Sequence, residues 1–187
     1  MSSAPFKWYK GFATEGGVRT PLIISYPKWK TQGGTISSEY LSVKDLAPTL
    51  LNMAGVEHPD TIFNGRKIYP MDGVSMMEWL AGQRDYAHEK DKAHCWELYG
   101  RRAVLKGDWK AEYYDKPYGK GDWELYQLKQ DPAQLIDLAT TETEKLNELI
   151  TDWEVYASSY QLTLPSEHVG YGADEIWREQ TIKSSND

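Results

Sequence analysis

The 187-residue sequence predicts an α+β fold: a small antiparallel sheet packed by a long C-terminal helix, preceded by a strand and a helix of α/β character. Three observations predict it. An apolar run at residues 22–26, Leu-Ile-Ile-Ser-Tyr, stands between Pro21 and Pro27 and reads as a strand covered on both faces. From Glu97 onward, runs rich in β-formers alternate with turn signals. Leu146, Leu149, Ile150, Trp153, Ala157 and Tyr160 then keep helical spacing. Strands followed by a helix that lays its apolar stripe across them give the α+β arrangement.

Residues 1–20 read as loop, interrupted by Gly11, Gly16 and Gly17, with Thr14-Glu15-Gly16-Gly17 as a turn signal. After the 22–26 strand and a Gly-rich loop at 28–38, Val43, Leu46, Ala47, Leu50, Leu51 and Ala54 predict a helix over 43–55 stopped by Gly55. Ser42 and Asp45 both suit its N-cap; Pro48 favours Asp45, since proline is tolerated in a first turn. Residues 75–81 form a short amphipathic helix closed by Gly82. A hairpin follows at 101–106 and 109–114 around Gly107-Asp108, then a strand at 123–128 broken by Asp131-Pro132, then the helix from about 143 to 160. The chain divides into residues 1–95, carrying the strand and first helix, residues 96–164, carrying the sheet and long helix, and a polar tail at 165–187. The 22–26 strand calls for a large sheet that the other strands here are too few to build. Its neighbours are expected in a missing N-terminal segment.

Composition removes several classes of function. With 40% hydrophobic and 26% charged residues the chain can bury a core, and 8 Trp and 13 Tyr against 3 Phe favour half-buried sheet faces and wet clefts. A net charge of −7 without a basic patch argues against nucleic acid. No apolar run approaches the roughly 20 residues of a bilayer span. The opening residues carry no apolar signal region, and a bacterial periplasm or cytoplasm suits the sequence equally. Cys95 is the only cysteine and no two of His58, His88, His94 and His168 stand at i, i+4, so neither a Cys cluster nor a His-rich zinc site is expected.

Six phrases in order resemble the C-terminal part of the sulfatase family, arylsulfatases in particular. They are Lys10-Gly11-Phe12-Ala13-Thr14-Glu15-Gly16-Gly17-Val18-Arg19-Thr20-Pro21; Asp45-Leu46-Ala47-Pro48-Thr49-Leu50; Asp72-Gly73-Val74-Ser75; Trp96-Glu97-Leu98-Tyr99-Gly100-Arg101-Arg102-Ala103-Val104 with Gly107-Asp108-Trp109-Lys110; Trp123-Glu124-Leu125-Tyr126; and Asp131-Pro132 with Asp137-Leu138-Ala139. The resemblance implies that residues 1–95 are a remnant of an alkaline-phosphatase-like α/β domain. It also implies a formylglycine nucleophile made from a Cys/Ser-x-Pro/Ala-x-Arg motif and a divalent cation, usually Ca2+, held by Asp and Asn. Neither is expected in this chain: Cys95 is followed by Trp96-Glu97-Leu98-Tyr99, which lacks the motif's Pro and Arg.

What the resemblance leaves here is Lys10, matched to the lysine that binds sulfate and stabilises the leaving group. A compact ammonium suits that charge. The glycines after it imply a sharply turning backbone close to the site. Arg19 reads as a structural partner of Glu15. His94 and Trp96, just before the hairpin, are candidates for the cleft mouth or for an ordinary surface. Cys95 reads as a semi-buried apolar residue. Most of Trp109, Tyr113, Tyr114, Trp123 and Tyr126 read as packing against the 143–160 helix rather than as a sugar platform.

The resulting expectation is a C-terminal fragment of a sulfuric ester hydrolase, inactive alone, whose partners are the missing N-terminal catalytic segment and a sulfate ester. Self-association is expected through apolar surface at 22–26 and 43–55. The alternatives are a non-catalytic docking or sulfated-glycan-binding module, or part of a related phosphodiesterase or phosphonate hydrolase.

Overall fold

The computed structural model describes residues 3–28, 33–116 and 118–165; the tail expected at 165–187 lies, from 166 on, outside the described residues. In chain order come α1 (Glu15–Val18), a 3-10 turn (Val43–Asp45), α2 (Leu46–Met53), β1 (Ile62–Phe63), β2 (Arg66–Lys67), α3 (Met77–Leu80), β3 (His94–Leu98), β4 (Arg101–Lys106), β5 (Trp109–Tyr113), β6 (Trp123–Gln127) and α4 (Thr143–Ser159). They fall into two compact units. One joins the described residues of Met1–Pro21 to those of Asp91–Asp187, and the other is Leu22–Lys90. The opening residues thus group with the sheet, whereas the sequence-based division joined them to everything before residue 96.

In the first unit, β3-β4-β5-β6 form an antiparallel meander. The chain reverses at Tyr99-Gly100, both at positive φ, and at Gly107, the backbone that two-residue hairpin turns require. The register sets Cys95 opposite Val104, Val104 opposite Ala111 and Ala111 opposite Leu125. That row shares one face and packs on Leu149 and Trp153 of α4, with Trp109, Trp123 and Leu146 around it. Here the helix finds the sheet its stripe requires. The other face carries Trp96, Ala103, Glu112 and Glu124 in the next row, and His94, Leu105, Lys110 and Tyr126 in the row beyond. The outer edge of β6 is closed rather than bare: Leu125 donates its N–H to Asp137 Oδ1 at 3.0 Å and accepts from Leu138 N–H at 2.8 Å.

Within the first unit, β3 differs from expectation. His94 and Trp96, expected in the loop before the hairpin, are strand residues, so the sheet has four strands instead of three. The run His-Cys-Trp-Glu-Leu has no clean alternation, and pairing with β4 selects the extended backbone.

In the unit Leu22–Lys90, residues 22–26 are not the expected buried strand. They pair with no other strand among the described residues, and Ile23 is 91% exposed. An apolar extended run without a neighbour to accept its hydrogen bonds forms no ladder. The predicted helix at 43–55 begins as the 3-10 turn, in which Ser42 and Asp45 make a capping box, and becomes α-helical at Leu46. Its buried side chains are polar. Asp45 accepts from Ser42 N–H at 2.7 Å, Val74 N–H at 2.9 Å and the His88 ring at 2.8 Å. The Thr49 hydroxyl donates to Asp45 O at 2.6 Å and accepts from Met76 N–H at 2.9 Å. Gly73 presses on the Lys44 carbonyl so closely that a Cβ would lie 2.0 Å from its oxygen. The Asp45–Leu50 and Asp72–Ser75 phrases are therefore two halves of one clamp.

Candidate functional site

The segment Lys7–Arg19 is a closed loop leading into α1. Lys7 O accepts from Gly16 N–H at 3.1 Å and from the Thr14 hydroxyl at 2.7 Å, while Phe12 N–H donates to Tyr9 O at 3.2 Å. Gly16 and Gly17 are glycine for want of space: a Cβ would meet Lys7 O at 2.4 Å and Phe12 O at 2.0 Å respectively. Neither has positive φ; that conformation belongs to Gly11, at φ 95°. Trp8 stacks on Phe12 at 4.5 Å between ring centroids, and Phe12 packs on Tyr114 and Tyr118. Lys10 lies exposed between Tyr9 and Gly11, on the part of the loop these bonds enclose.

The loop is fastened to the sheet face opposite α4 by buried charge. Lys110 Nζ lies 2.8 Å from Glu15 Oε1 and 3.3 Å from Glu112 Oε1, and its side chain is 0% exposed. Gln134 Nε2 donates to Glu112 Oε1 at 2.5 Å, and the Glu15 backbone N–H donates to Gln134 Oε1 at 2.8 Å, which closes a ring of four residues. Farther along, Lys7 Nζ donates to Glu124 Oε2 at 3.1 Å and to the Tyr126 hydroxyl at 3.0 Å. Burial first, and the neighbouring Glu124 second, push the Tyr126 hydroxyl well above its ordinary range, so it stays a neutral donor. Tyr114 is raised in the same way by burial and then by Glu112. Arg101 donates to Gly11 O.

The sequence-derived candidates now have places. Trp96 is half-buried on this same face, its ring centroid 5.6 Å from Lys110 Nζ, and its carbonyl accepts from Trp153 Nε1 at 3.3 Å. His94, half-buried, pairs with Leu105 toward the far end of β4, whereas Gly11 is held at the Arg101 end. Lys10 is thus carried by the loop covering the face on which Trp96 and His94 lie. Arg19 reaches Glu15 Oε2 at 3.7 Å, the structural role expected of it. Trp109 and Trp123 pack toward α4 as expected; Tyr114 and Tyr126 belong to the opposite face.

Lys110, Gln134 and Arg101 escaped prediction as site residues. Opposite charges two apart on one strand face, at Lys110 and Glu112, were the available signal, and they read equally as a solvated face.

With this geometry in view, the comparisons are specific. Residues 5–155 match a family model described as N-sulphoglucosamine sulphohydrolase, C-terminal. The chain belongs to the sulfatase family. It is 40% identical over 169 residues to an uncharacterised sulfatase of Schizosaccharomyces pombe, covering 90% of this chain and 30% of that protein. It is 32% identical over 136 residues to the N-acetylglucosamine-6-O-sulfatase of Bacteroides thetaiotaomicron, covering 70% of this chain and 23% of the relative. The crystal structure of Ps i-CgsB in complex with k-i-k-neocarrahexaose superposes with a TM-score of 0.66 at 24% identity, over 95% of this chain and 37% of that one, a likeness of fold. This sulfatase chain therefore spans less than a third of the length of either relative.

Sulfatases generally use a formylglycine and a metal ion. Among the described residues no group of three or more His, Cys, Asp or Glu side chains could hold a metal. Cys95 does not fit the precursor of the formylglycine: it packs against the α4 core and is followed by Trp96-Glu97-Leu98-Tyr99, without the motif's Pro and Arg. Burial first, and Asp152 second, push its thiol up to about 12. No step is assigned to either group in this chain. No helix among the described residues is long and apolar enough to cross a membrane.

Proposed function

We propose that the full-length polypeptide carrying this chain hydrolyses sulfate esters, and that Lys10 binds the sulfate and stabilises the leaving oxygen. Cleavage of a sulfate ester leaves negative charge on the bridging oxygen. A fixed ammonium beside it favours the transition state over the ground state, because the charge grows as the bond breaks. The observation that carries the reading is the construction of the loop. A ring of buried residues, Glu15-Lys110-Glu112-Gln134, closed through the Glu15 backbone N–H, holds its base while Lys10 is exposed at its turn. On this reading the formylglycine and a Ca2+ ion come from the rest of the polypeptide, and the chain of 187 residues turns nothing over by itself.

The test is hydrolysis of a chromogenic aryl sulfate by the full-length polypeptide with Ca2+. Lys10→Ala is expected to lower kcat/KM by about 10²–10³-fold with an unchanged melting temperature. Unaltered turnover by that variant would overturn the role of Lys10. Turnover by the isolated chain would overturn its inactivity. Sulfated-glycan binding by the isolated chain that survives Lys10→Ala would favour a binding module instead.

A further inference from the structure

We infer that Arg101 is the positioning residue that sets where the Lys10 ammonium stands in the sulfate site. The inference rests on the reading of Lys10 given above and adds to it a group from a different element, β4.

Arg101 is 4% exposed. Its guanidinium carbon lies 3.9 Å from the centroid of the Phe12 ring and 4.7 Å from that of Tyr118, and Nη1 donates to Gly11 O. A planar cation packed against two rings that themselves meet edge to face is held on two sides, so its donor direction is constrained before anything binds. The acceptor belongs to the residue next to Lys10. Gly11 stands at φ 95°, where alternative backbone conformations are easily reached, and the guanidinium lies 3.6 Å from where a Cβ would be. A carbonyl held at that position fixes the plane of the Gly11–Phe12 peptide, and through Gly11 the direction in which Lys10 leaves the loop.

Stability alone does not account for this arginine. Among the described residues it makes no ion pair with a carboxylate, and its buried Nη2 has no hydrogen-bond partner. Buried cations are ordinarily paired and satisfied, as the Lys110 ammonium is on the adjacent strand β5. Arg101 is instead committed to one carbonyl and two rings of the segment that carries Lys10, or of the Tyr118 turn beneath it. Its Nη1 ties β4 to the residue that follows Lys10, and a misplacement of about 1 Å in a charge-stabilising group is enough to cost ~10²-fold in rate.

The experiment is a double-mutant cycle in the full-length polypeptide, with kcat and KM measured on an aryl sulfate for the parent, Lys10→Ala, Arg101→Gln and the double variant, each well below its melting temperature. Arg101→Gln is expected to lower kcat/KM by about 10-fold or more, mostly in kcat. In the Lys10→Ala background the same change is expected to cost less than about threefold, because there is no ammonium left to misplace. Arg101→Lys, which keeps the charge but not the planar fork, is expected to restore less than half of the lost activity. Should Arg101→Gln fail to fold, Arg101→Lys takes its place in the cycle. A full-sized, additive loss in both backgrounds would overturn the positioning role and leave Lys10 untouched, as would an Arg101 variant with parental kcat. Lys10→Ala with parental kcat/KM would instead sink the reading of Lys10 itself.

Discussion

Lys110 is the residue on which the loop's attachment turns. It is fully buried between two carboxylates, Glu15 and Glu112, and Gln134 links the Glu112 carboxylate to the Glu15 backbone N–H. Removing the cation while leaving both acids buried is the costly direction. Lys110→Met is expected to destabilise the chain by about 3–5 kcal/mol in urea unfolding, with Glu15→Gln and Glu112→Gln in the same variant recovering part of it. A loss below about 1 kcal/mol would mean that the acids relax to water and that the ring does not anchor the loop. The sequence carried half of this. The pairing of Arg19 with Glu15 was legible because the two stand four residues apart. Lys110 and Glu15 are 95 residues apart, and the alternation Trp109-Lys110-Ala111-Glu112 reports that two charges share a face without reporting what covers it. Cys95 was legible as a packed thiol, and its raised pKa makes a second expectation. Reaction with a disulfide reagent at pH 8 should be at least about tenfold slower in the folded chain than in urea; equal rates would contradict the burial.

Elements tell a different story, because regular periodicity survives without knowledge of partners. The stripe of α4 was legible since Leu149 and Trp153 recur at i, i+4 and meet a sheet whose inner row is Val104, Ala111 and Leu125. The apolar stripe of α2 was equally clear, yet Leu50 is exposed and the buried residues are Asp45 and Thr49. Hydrophobic spacing marks the face prepared for burial, while within the Leu22–Lys90 unit the contacts are made by a polar clamp. Thr49→Val tests the clamp with almost no change of shape. It removes the acceptor of Met76 N–H and the donor to Asp45 O, so a loss of about 1–3 kcal/mol is expected. Amide exchange at Met76 should rise in step. An unprotected Met76 amide in the parent chain would show that the clamp is open in solution.

At the scale of the whole chain, pH acts on the pairs around the sheet. Burial works to raise Asp137, but Lys120 and the Leu125 and Ala139 N–H groups outweigh it and hold the carboxyl below its ordinary 3.8. Lys145, then Lys106, hold Glu148 below 4.5. Both shifts are downward from the unfolded value. Their stabilisation is therefore complete above the ordinary carboxylate range and is lost as pH falls through and below it. Lys106, raised first by Asp152 and then by Glu148, and Lys120, raised first by Asp137, act at the other end: their contribution is full below 10.5 and is lost as pH rises past it. The melting temperature should be flat between about pH 5 and 10 and fall on both sides, with Asp137→Asn flattening the acid limb.

The apolar surface of the Leu22–Lys90 unit leads to a prediction of another kind. Leu22, Ile23, Ile24, Ile36, Val43 and Leu50 are all exposed, and residues 22, 24–27, 33–37, 39, 41 and 79–80 line a groove of about 740 Å³. No described part of the Leu22–Lys90 unit covers them. Here the sequence was legible in an indirect way: residues 22–26 read as a buried strand because they are composed as one, and what they lack is a neighbour. Surface of this composition associates when concentration permits. The isolated chain is expected to form dimers or larger species at tens of micromolar in light scattering after gel filtration, and Ile23→Lys with Ile36→Lys to shift it toward monomer. Lysine at both positions adds charge to the exposed run without touching the clamp at Asp45 and Thr49, so the melting temperature should stay within about 2 °C of the parent. A parent chain that remains monomeric at about 100 µM, or a double variant that associates as strongly as the parent, would show that this face is not sticky on its own.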